Sequence, residues 1–244
     1  MPGGNSYDDE ARAAAYAMLD FPGTYYLAFR DLPGIIAASV TGRRVLDFGC
    51  GAGRSAAFLR RLGLDVTGVD ISPSMIELAR NADPAGSYQL IADGDFSGLT
   101  GAGFDLILSA FAFDNIPEVA RRVRLLRGLG KLLCPSGRII VLGSTPEIYT
   151  HEWTSFTTRQ FGRNHEARSG DAVEIVIREV ADQGPVLDYL WTHEDYLRQF
   201  ADAELELLEC RRPLGRKDEP QRWATELTIA PWVIYVLARA GRTP

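Results

Sequence analysis

Hydrophobic and polar positions change rhythm along this chain. The run RVLDF at 44–48 is short and almost wholly apolar, and similar runs follow at 65–69, 88–91, 104–109 and 138–142. Short apolar runs without alternation are expected of strands covered on both faces. Between them the spacing turns helical. Ala56, Ala57, Phe58, Leu59 and Leu62 follow the first run, and Val119, Val123 and Leu126 mark a helix over 118–133. Ser72-Pro73 places a capping hydroxyl and then a proline at the first helical position, opening a helix over 74–80. Pro135-Ser136-Gly137 reads as a turn ahead of the fifth strand. Residues 8–40 read as helices broken at Pro22-Gly23 and Pro33-Gly34. This alternation predicts an α/β fold with a parallel sheet covered on both sides. Such sheets bind ligands at the carboxyl ends of their strands, so the informative residues should stand just after each strand.

The rhythm lapses over 144–190, which reads as an insertion with a β-rich stretch at 172–180. It resumes with a helix near 194–201 and strands at 205–210 and 232–237. All four Trp and all three His fall after residue 143. A single domain of 244 residues follows: a helical cap over 1–40, a ligand-binding half over 41–143, the insertion, and a closing helix and strands over 191–244.

Composition removes several classes. The chain is 46% hydrophobic and 24% charged, an ordinary globular balance. No apolar run reaches the length of a membrane span, and residues 1–20 lack the features of a secretory signal. A cytoplasmic protein is expected. The net charge of −6 disfavours nucleic acid as a partner. Cys50, Cys134 and Cys210 are odd in number and scattered, so no disulfide framework or structural zinc is expected. No acidic-plus-His cluster suggests a metal of any other kind.

The chemistry concentrates after the first strand. Asp47-Phe-Gly49-Cys-Gly51-Ala-Gly53 joins it to a helix. Glycines there allow a tight turn and close approach of a ligand to the backbone. The spacing is G-x-G-x-G, whereas a dinucleotide fingerprint would need glycine where Arg54 stands, which counts against a nicotinamide-dependent oxidoreductase. Asp47 would repel a pyrophosphate and suits a ligand with a cationic amino-acid end. The second strand ends in Asp70, 21 residues past Gly49, where a carboxylate can take both hydroxyls of a ribose. The third is followed by Asp93-Gly94, where a carboxylate can receive an adenine amino group.

These blocks resemble the class I S-adenosylmethionine-dependent methyltransferases. VLDFGCGAGRS (45–55), VTGVDISPSMIELAR (66–80), QLIADGDF (89–96), FDLILSAFAFDNIP (104–117) and LLCPSGRIIVLG (132–143) follow the family's order and spacing. The resemblance implies a Rossmann-like fold with a seven-stranded, mostly parallel sheet, helices on both faces and an inserted lid or substrate region. It implies S-adenosylmethionine as cofactor. Gly49, Gly51 and Gly53 would line its methionine and ribose portion, Asp70 the ribose, Ile71 and Met75 the adenine face, Asp93 and Gly94 the adenine edge. Asp47 and Ser109 would stand near its amino-acid end, and Arg30 would pair with its carboxylate. Ser136 departs from the family's usual second glycine in a Pro-Gly-Gly turn.

The flanks FPGTYYLAFRDLPGI (21–35), HEWTSFTTRQF (151–161), LWTHEDY (190–196) and APWVIYVL (230–237), with the Tyr7-Asp8 opening, resemble bacterial small-molecule methyltransferases, among them the toxoflavin-type N-methyltransferases that act on a flat azapteridine. A flat heteroaromatic acceptor needs aromatic walls and a few directed polar groups. Phe113, Tyr149, Trp153, Trp191 and Trp232 are candidate walls. Tyr7, Asp114, Asn115, His151 and Thr154 are candidate polar groups, with Tyr7, Asp114 and His151 as candidate bases. O-methylation of a phenol or quinone, and methylation of RNA or protein, stand as alternatives. A monomer or homodimer is expected.

Overall fold

The computed structural model describes residues 21, 23–99, 101, 103–178 and 184–241. The first strands are β1 (Arg44–Phe48), β2 (Asp65–Asp70), β3 (Ser87–Leu90), β4 (Phe104–Ala110) and β5 (Leu133–Ser144). A separate group follows, β6 (Phe156–Thr157), β7 (Ala172–Ile177) and β8 (Val186–Tyr189), and then β9 (Leu205–Arg211) and β10 (Trp232–Arg239). Seven strands form one sheet in the order β3-β2-β1-β4-β5-β10-β9. β1 to β5 pair in parallel, and β10 inserts antiparallel to both β5 and β9. The chain therefore winds outward from β1 in one direction, then restarts beside it with β4. This switch point opens a crevice at the carboxyl edge, between the loops after β1 and β4.

Adjacent strand residues serve opposite cores. Val45, Leu106 and Ile140 belong to one buried cluster, and their neighbours Leu46, Ile107 and Val141 belong to the other. The first cluster packs α1 (Thr24–Arg30), α2 (Leu32–Ser39), α3 (Arg54–Arg61) and α4 (Pro73–Ala82). The second packs α5 (Val119–Leu132) and α6 (His193–Asp202). The expected α/β architecture, with helices on both faces of a seven-stranded sheet, is thus present.

Local signals explain the element ends. Ser72 caps α4, accepting a hydrogen bond from the Met75 N–H, with Pro73 at its start. Thr192 and Asp195 form a reciprocal capping box on α6. Two local readings need correction. Pro33 lies in the first turn of α2 and opens it, because a proline there forfeits no helical hydrogen bond. Pro135-Ser136-Gly137 does not precede the fifth strand but lies inside β5, as extra residues where the register slips between the Phe104–Leu133 and Leu106–Arg138 pairs. The insertion is also more ordered than its sequence suggests: β6, β7 and β8 form a three-stranded antiparallel sheet. Val173, Ile175, Ile177 and Val186 join it to the core shared with α1 and α2.

Candidate active site

The glycine loop is held at the carboxyl edge by its own backbone. The N–H groups of Gly49 and Cys50 both donate to the Val69 carbonyl, at 2.9 and 3.0 Å. Gly49, Gly51 and Gly53 all have positive φ, at +71°, +52° and +88°. A Cβ on Gly49 would stand 2.5 Å from the Ala112 Cβ, so the loop after β4 presses against it. The Gly51 N–H donates to Asp70 Oδ2 and the Ser72 N–H to Asp70 Oδ1, each at 2.9 Å. These bonds fix the carboxylate at the tip of β2.

Two buried polar atoms beside this loop have no partner among the described residues. Asp47 is wholly buried; Ser55 Oγ donates to its Oδ2 at 2.6 Å, and its Oδ1 accepts nothing. The Ser109 hydroxyl, at the end of the neighbouring β4, is also unpaired. Burial pushes the Asp47 carboxyl up to about 7. A buried carboxylate oxygen without a partner suits a ligand bearing an ammonium group, which fits the cofactor expected from the sequence, whereas Ser109, in register with Val141, faces the opposite core. Cys50 is buried, and burial raises its thiol well above the ordinary value, so it lacks the features of a nucleophile.

A second space opens next to the loop after β4. Tyr25, Phe111, Phe156 and Trp232 wall it, with ring centres 4.7 Å apart for Phe111–Trp232 and 5.0 Å for Tyr25–Phe156. Its polar lining comes from Asp114, Asn115, Ser144, Tyr149 and Asp188. The cavity among these groups is small, about 40 Å³. A bicyclic ligand therefore needs the rings to move aside. Asp114 accepts from the Ser144 N–H and from the Tyr196 hydroxyl, both at 3.0 Å. The Tyr149 hydroxyl donates to Asp188 Oδ2 at 3.2 Å. Burial raises both carboxyls, and the Asp114 charge adds to the rise at Asp188, which reaches about 8.

The structure gathers some sequence candidates and disperses others. Asp47, Asp70, Ser109 and the three glycines meet at one edge, and Met75 is buried with its sulfur 3.8 Å from where a Cβ on Gly51 would lie. Ile71 is largely exposed just beyond β2, and Gly94 has a positive φ of +73°. Asp93 is occupied by Arg121 and Arg124, at 3.0 and 2.9 Å, so its carboxylate faces two guanidiniums in place of the expected adenine. Arg30 is tied to Asp31 and Glu219, at 2.8 and 2.7 Å, which takes it out of the expected carboxylate pairing.

Trp232, Tyr149, Asp114 and Asn115 line the aromatic cavity. Phe113 and Trp191 do not: they belong to the opposite core, against the buried Arg122, 5.4 and 4.6 Å from their ring centres. Trp153 is buried with its indole N–H on the Ile148 carbonyl. His151 turns to Glu147 and Thr150, and Thr154 to Glu226 and Arg222. Tyr7 lies outside the described residues.

Sequence reasoning missed Tyr25, Phe111, Phe156 and Asp188. Phe111 carried a signal, since it stands two places before Phe113 in the same motif. Its φ of +63° breaks the strand's side-to-side alternation and sends the two rings to different places. Asp188 carried none.

Residues 46–141 match the family model described as a methyltransferase domain. An uncharacterized methyltransferase from Bacillus licheniformis is 35% identical over 140 residues, 56% of this chain and 61% of that protein. The N-demethylindolmycin N-methyltransferase of Streptomyces griseus is 28% identical over 205 residues, 81% of this chain and 84% of the relative. Among solved structures, the CcbJ methyltransferase from Streptomyces caelestis superposes with a TM-score of 0.68 at 19% identity, covering 98% of this chain and all of that one. The fold is that of the class I methyltransferases.

Proposed function

We propose that this chain, whose residues 46–141 are a methyltransferase domain, is an S-adenosylmethionine-dependent methyltransferase of a small, flat, nitrogen-containing heteroaromatic acceptor. The observation that carries this reading is the adjacency of two unlike sites. A glycine loop with a buried, partnerless carboxylate oxygen stands beside an aromatic cavity, the two linked through the loop after β4, where Ala112 lies against Gly49 and its neighbour Phe111 lines the cavity.

The cofactor, when bound, supplies an electrophilic methyl group on a sulfonium. The chain's own residues then have three tasks. Asp70, oriented by two backbone N–H groups, would hold a ribose. Asp47 would take the ammonium end, relieving the lack of a partner at its Oδ1. The rings of Tyr25, Phe111 and Trp232 would hold a flat acceptor and keep water from it, leaving orientation as the main catalytic contribution. N-methylation is favoured because the relative aligned over most of both chains is an N-methyltransferase. Within that class, an azapteridine of the toxoflavin type is our first acceptor to test.

The test is a mass-spectrometric assay with S-adenosylmethionine and a desmethyl azapteridine, run beside a catechol. One or two methyl increments on the azapteridine are expected. Methylation of the catechol alone would transfer the proposal to O-methylation. If S-adenosylhomocysteine fails to bind in calorimetry, the cofactor assignment falls. In that titration Asp70→Ala should weaken binding by about tenfold or more, the usual loss when hydrogen bonds to a charged group are removed.

A further inference from the structure

The insertion sheet turns an apolar face to the cavity, from Ile175 and Ile177 on β7 and Val186 on β8. Strand side chains alternate, so Asp188 shares the Val186 face and sets a carboxyl among those hydrocarbons. Even a partly buried carboxyl is destabilising unless it is well paired. Asp188 receives the Tyr149 hydroxyl at 3.2 Å, while the nearby Asp114 raises the cost further. A core built for stability alone would place an aliphatic residue there.

The other polar groups of the cavity share its polarity. Asp114 is a second carboxyl, and the Asn115 Oδ1 is buried without a partner. The rest of the lining is aromatic and aliphatic. No Lys, Arg or His is among the described lining residues. Arg54 lies 5.4 Å from the centre of the Tyr25 ring but does not line the space. An oxyanion entering this cavity would meet carboxyls and hydrocarbon, whereas an N–H donor or a nitrogen cation would satisfy the carboxyls.

Asp114 and Asp188 differ in readiness. Asp114 already accepts from the Ser144 N–H and the Tyr196 hydroxyl, with the Arg122 guanidinium acting on it electrostatically. Asp188 has the Tyr149 hydroxyl and one carboxyl neighbour. We propose that the cavity recognises its acceptor through a nitrogen that carries hydrogen, that Asp188 receives this N–H bond and then its proton, and that oxyanion acceptors are thereby excluded. The N–H bond breaks, its electron pair stays on nitrogen as the nucleophilic lone pair, and the proton passes to an Asp188 oxygen and on to water. This rests on reading the cavity as the acceptor site. It decides between the nitrogen and oxygen chemistries that the sequence leaves open.

Before ligand enters, burial and Asp114 hold Asp188 up at about 8. The titratable and charged groups around it are Asp114, Tyr149, Tyr196 of α6 and, through Asp114, Arg122 of α5. An N–H cation at the carboxyl lowers that value, so its binding near pH 7 should release a fraction of a proton.

Calorimetry with two flat bicyclic probes tests the assignment without turnover. One is 4-aminoquinoline, an N–H-bearing cation near pH 7, and the other is 1-naphthoate, an anion. Both are titrated with S-adenosylhomocysteine present, in two buffers of different ionisation heat, into the wild type and Asp188→Asn. The wild type should bind 4-aminoquinoline about tenfold or more tightly than naphthoate and release protons as it does so. Asp188→Asn should lose about tenfold or more of that affinity and the proton release, with S-adenosylhomocysteine affinity unchanged. Equal or inverted preference, no binding of either probe, or an Asp188→Asn protein that behaves as wild type would overturn the proposal. Should the variant not fold, the wild-type preference and proton release decide alone. If S-adenosylhomocysteine itself does not bind, the methyltransferase reading fails, and the same probes still judge Asp188 on the chain alone.

Discussion

Asp47 is the residue at which stability and ligand binding oppose each other. Its carboxyl is wholly buried, with one oxygen on Ser55 and the other unpaired. The folded protein holds the proton up to about pH 7, whereas an unfolded chain releases it near the ordinary carboxyl value of 3.8. Across that window the folded state binds the extra proton, so stability falls as pH rises and is lowest above it. Asp47→Asn removes the cost of burying the charge. The variant should therefore be more stable than wild type in urea at about pH 8, and the gain should shrink as pH falls toward about 4. It should also bind S-adenosylhomocysteine more weakly, by about tenfold, because an amide cannot match a carboxylate against an ammonium. A variant with unchanged affinity would remove Asp47 from the site. At this scale the sequence brought Asp47, Asp70 and the glycines to one strand-end edge, because strand ends and glycine spacing are local. It could not place Arg30 or Asp93, whose partners Glu219, Arg121 and Arg124 lie far along the chain.

Among the elements, the turn from β1 into α3 is the most constrained. Gly49 combines a φ of +71° with an Ala112 methyl 2.5 Å from where its Cβ would be. Gly49→Ala meets both strain and overlap, each costing about 1–3 kcal/mol. The expected result is a lower urea midpoint together with loss of S-adenosylhomocysteine binding, since the loop can relieve the overlap only by leaving Ala112. Full affinity in a folded Gly49→Ala protein would show that this contact does not shape the site. The insertion was less legible than this loop. β6 is only two residues long, and β8 pairs only with β7, so neither carries a periodic signal of useful length. The Pro135-Ser136-Gly137 segment misleads for a related reason. Turn residues absorbed as a bulge within β5 look in sequence like a turn that ends a strand.

For the whole molecule, the net charge of −6 and the buried position of both sites argue for a small ligand. Acceptor binding should then depend only weakly on salt, by about twofold between 50 and 300 mM, since buried charges are little screened. A nucleic-acid substrate would instead lose affinity by orders of magnitude over that range. Ligand linkage gives a second check on the same samples. S-adenosylhomocysteine at about 100 times its Kd should add about 2.7 kcal/mol, which raises the melting temperature by roughly 5–10 °C for a chain of this size. Among the described residues no helix is long and apolar enough to cross a membrane, and no group of three His, Cys, Asp or Glu is placed to hold a metal ion.

The sequence by itself determined the sheet, the helices on both faces and the glycine-loop edge, because each depends on short-range patterns: apolar runs, helical spacing, caps and glycines near one another in the chain. It also marked the insertion and its aromatic character. Which aromatics face the ligand was decided only by tertiary structure. Phe111 and Phe113 are two residues apart and serve different compartments, and Trp153 and Trp191 pack in cores while Trp232 reaches the cavity. The aromatic cavity is assembled from α1, the loop after β4, the end of β5, the insertion sheet and the start of β10. Its members come from Tyr25 to Trp232, and no periodicity links such distant positions. Asp188 shows this most plainly, since its carboxyl acquires its meaning from Tyr149 and Asp114, which only folding brings beside it.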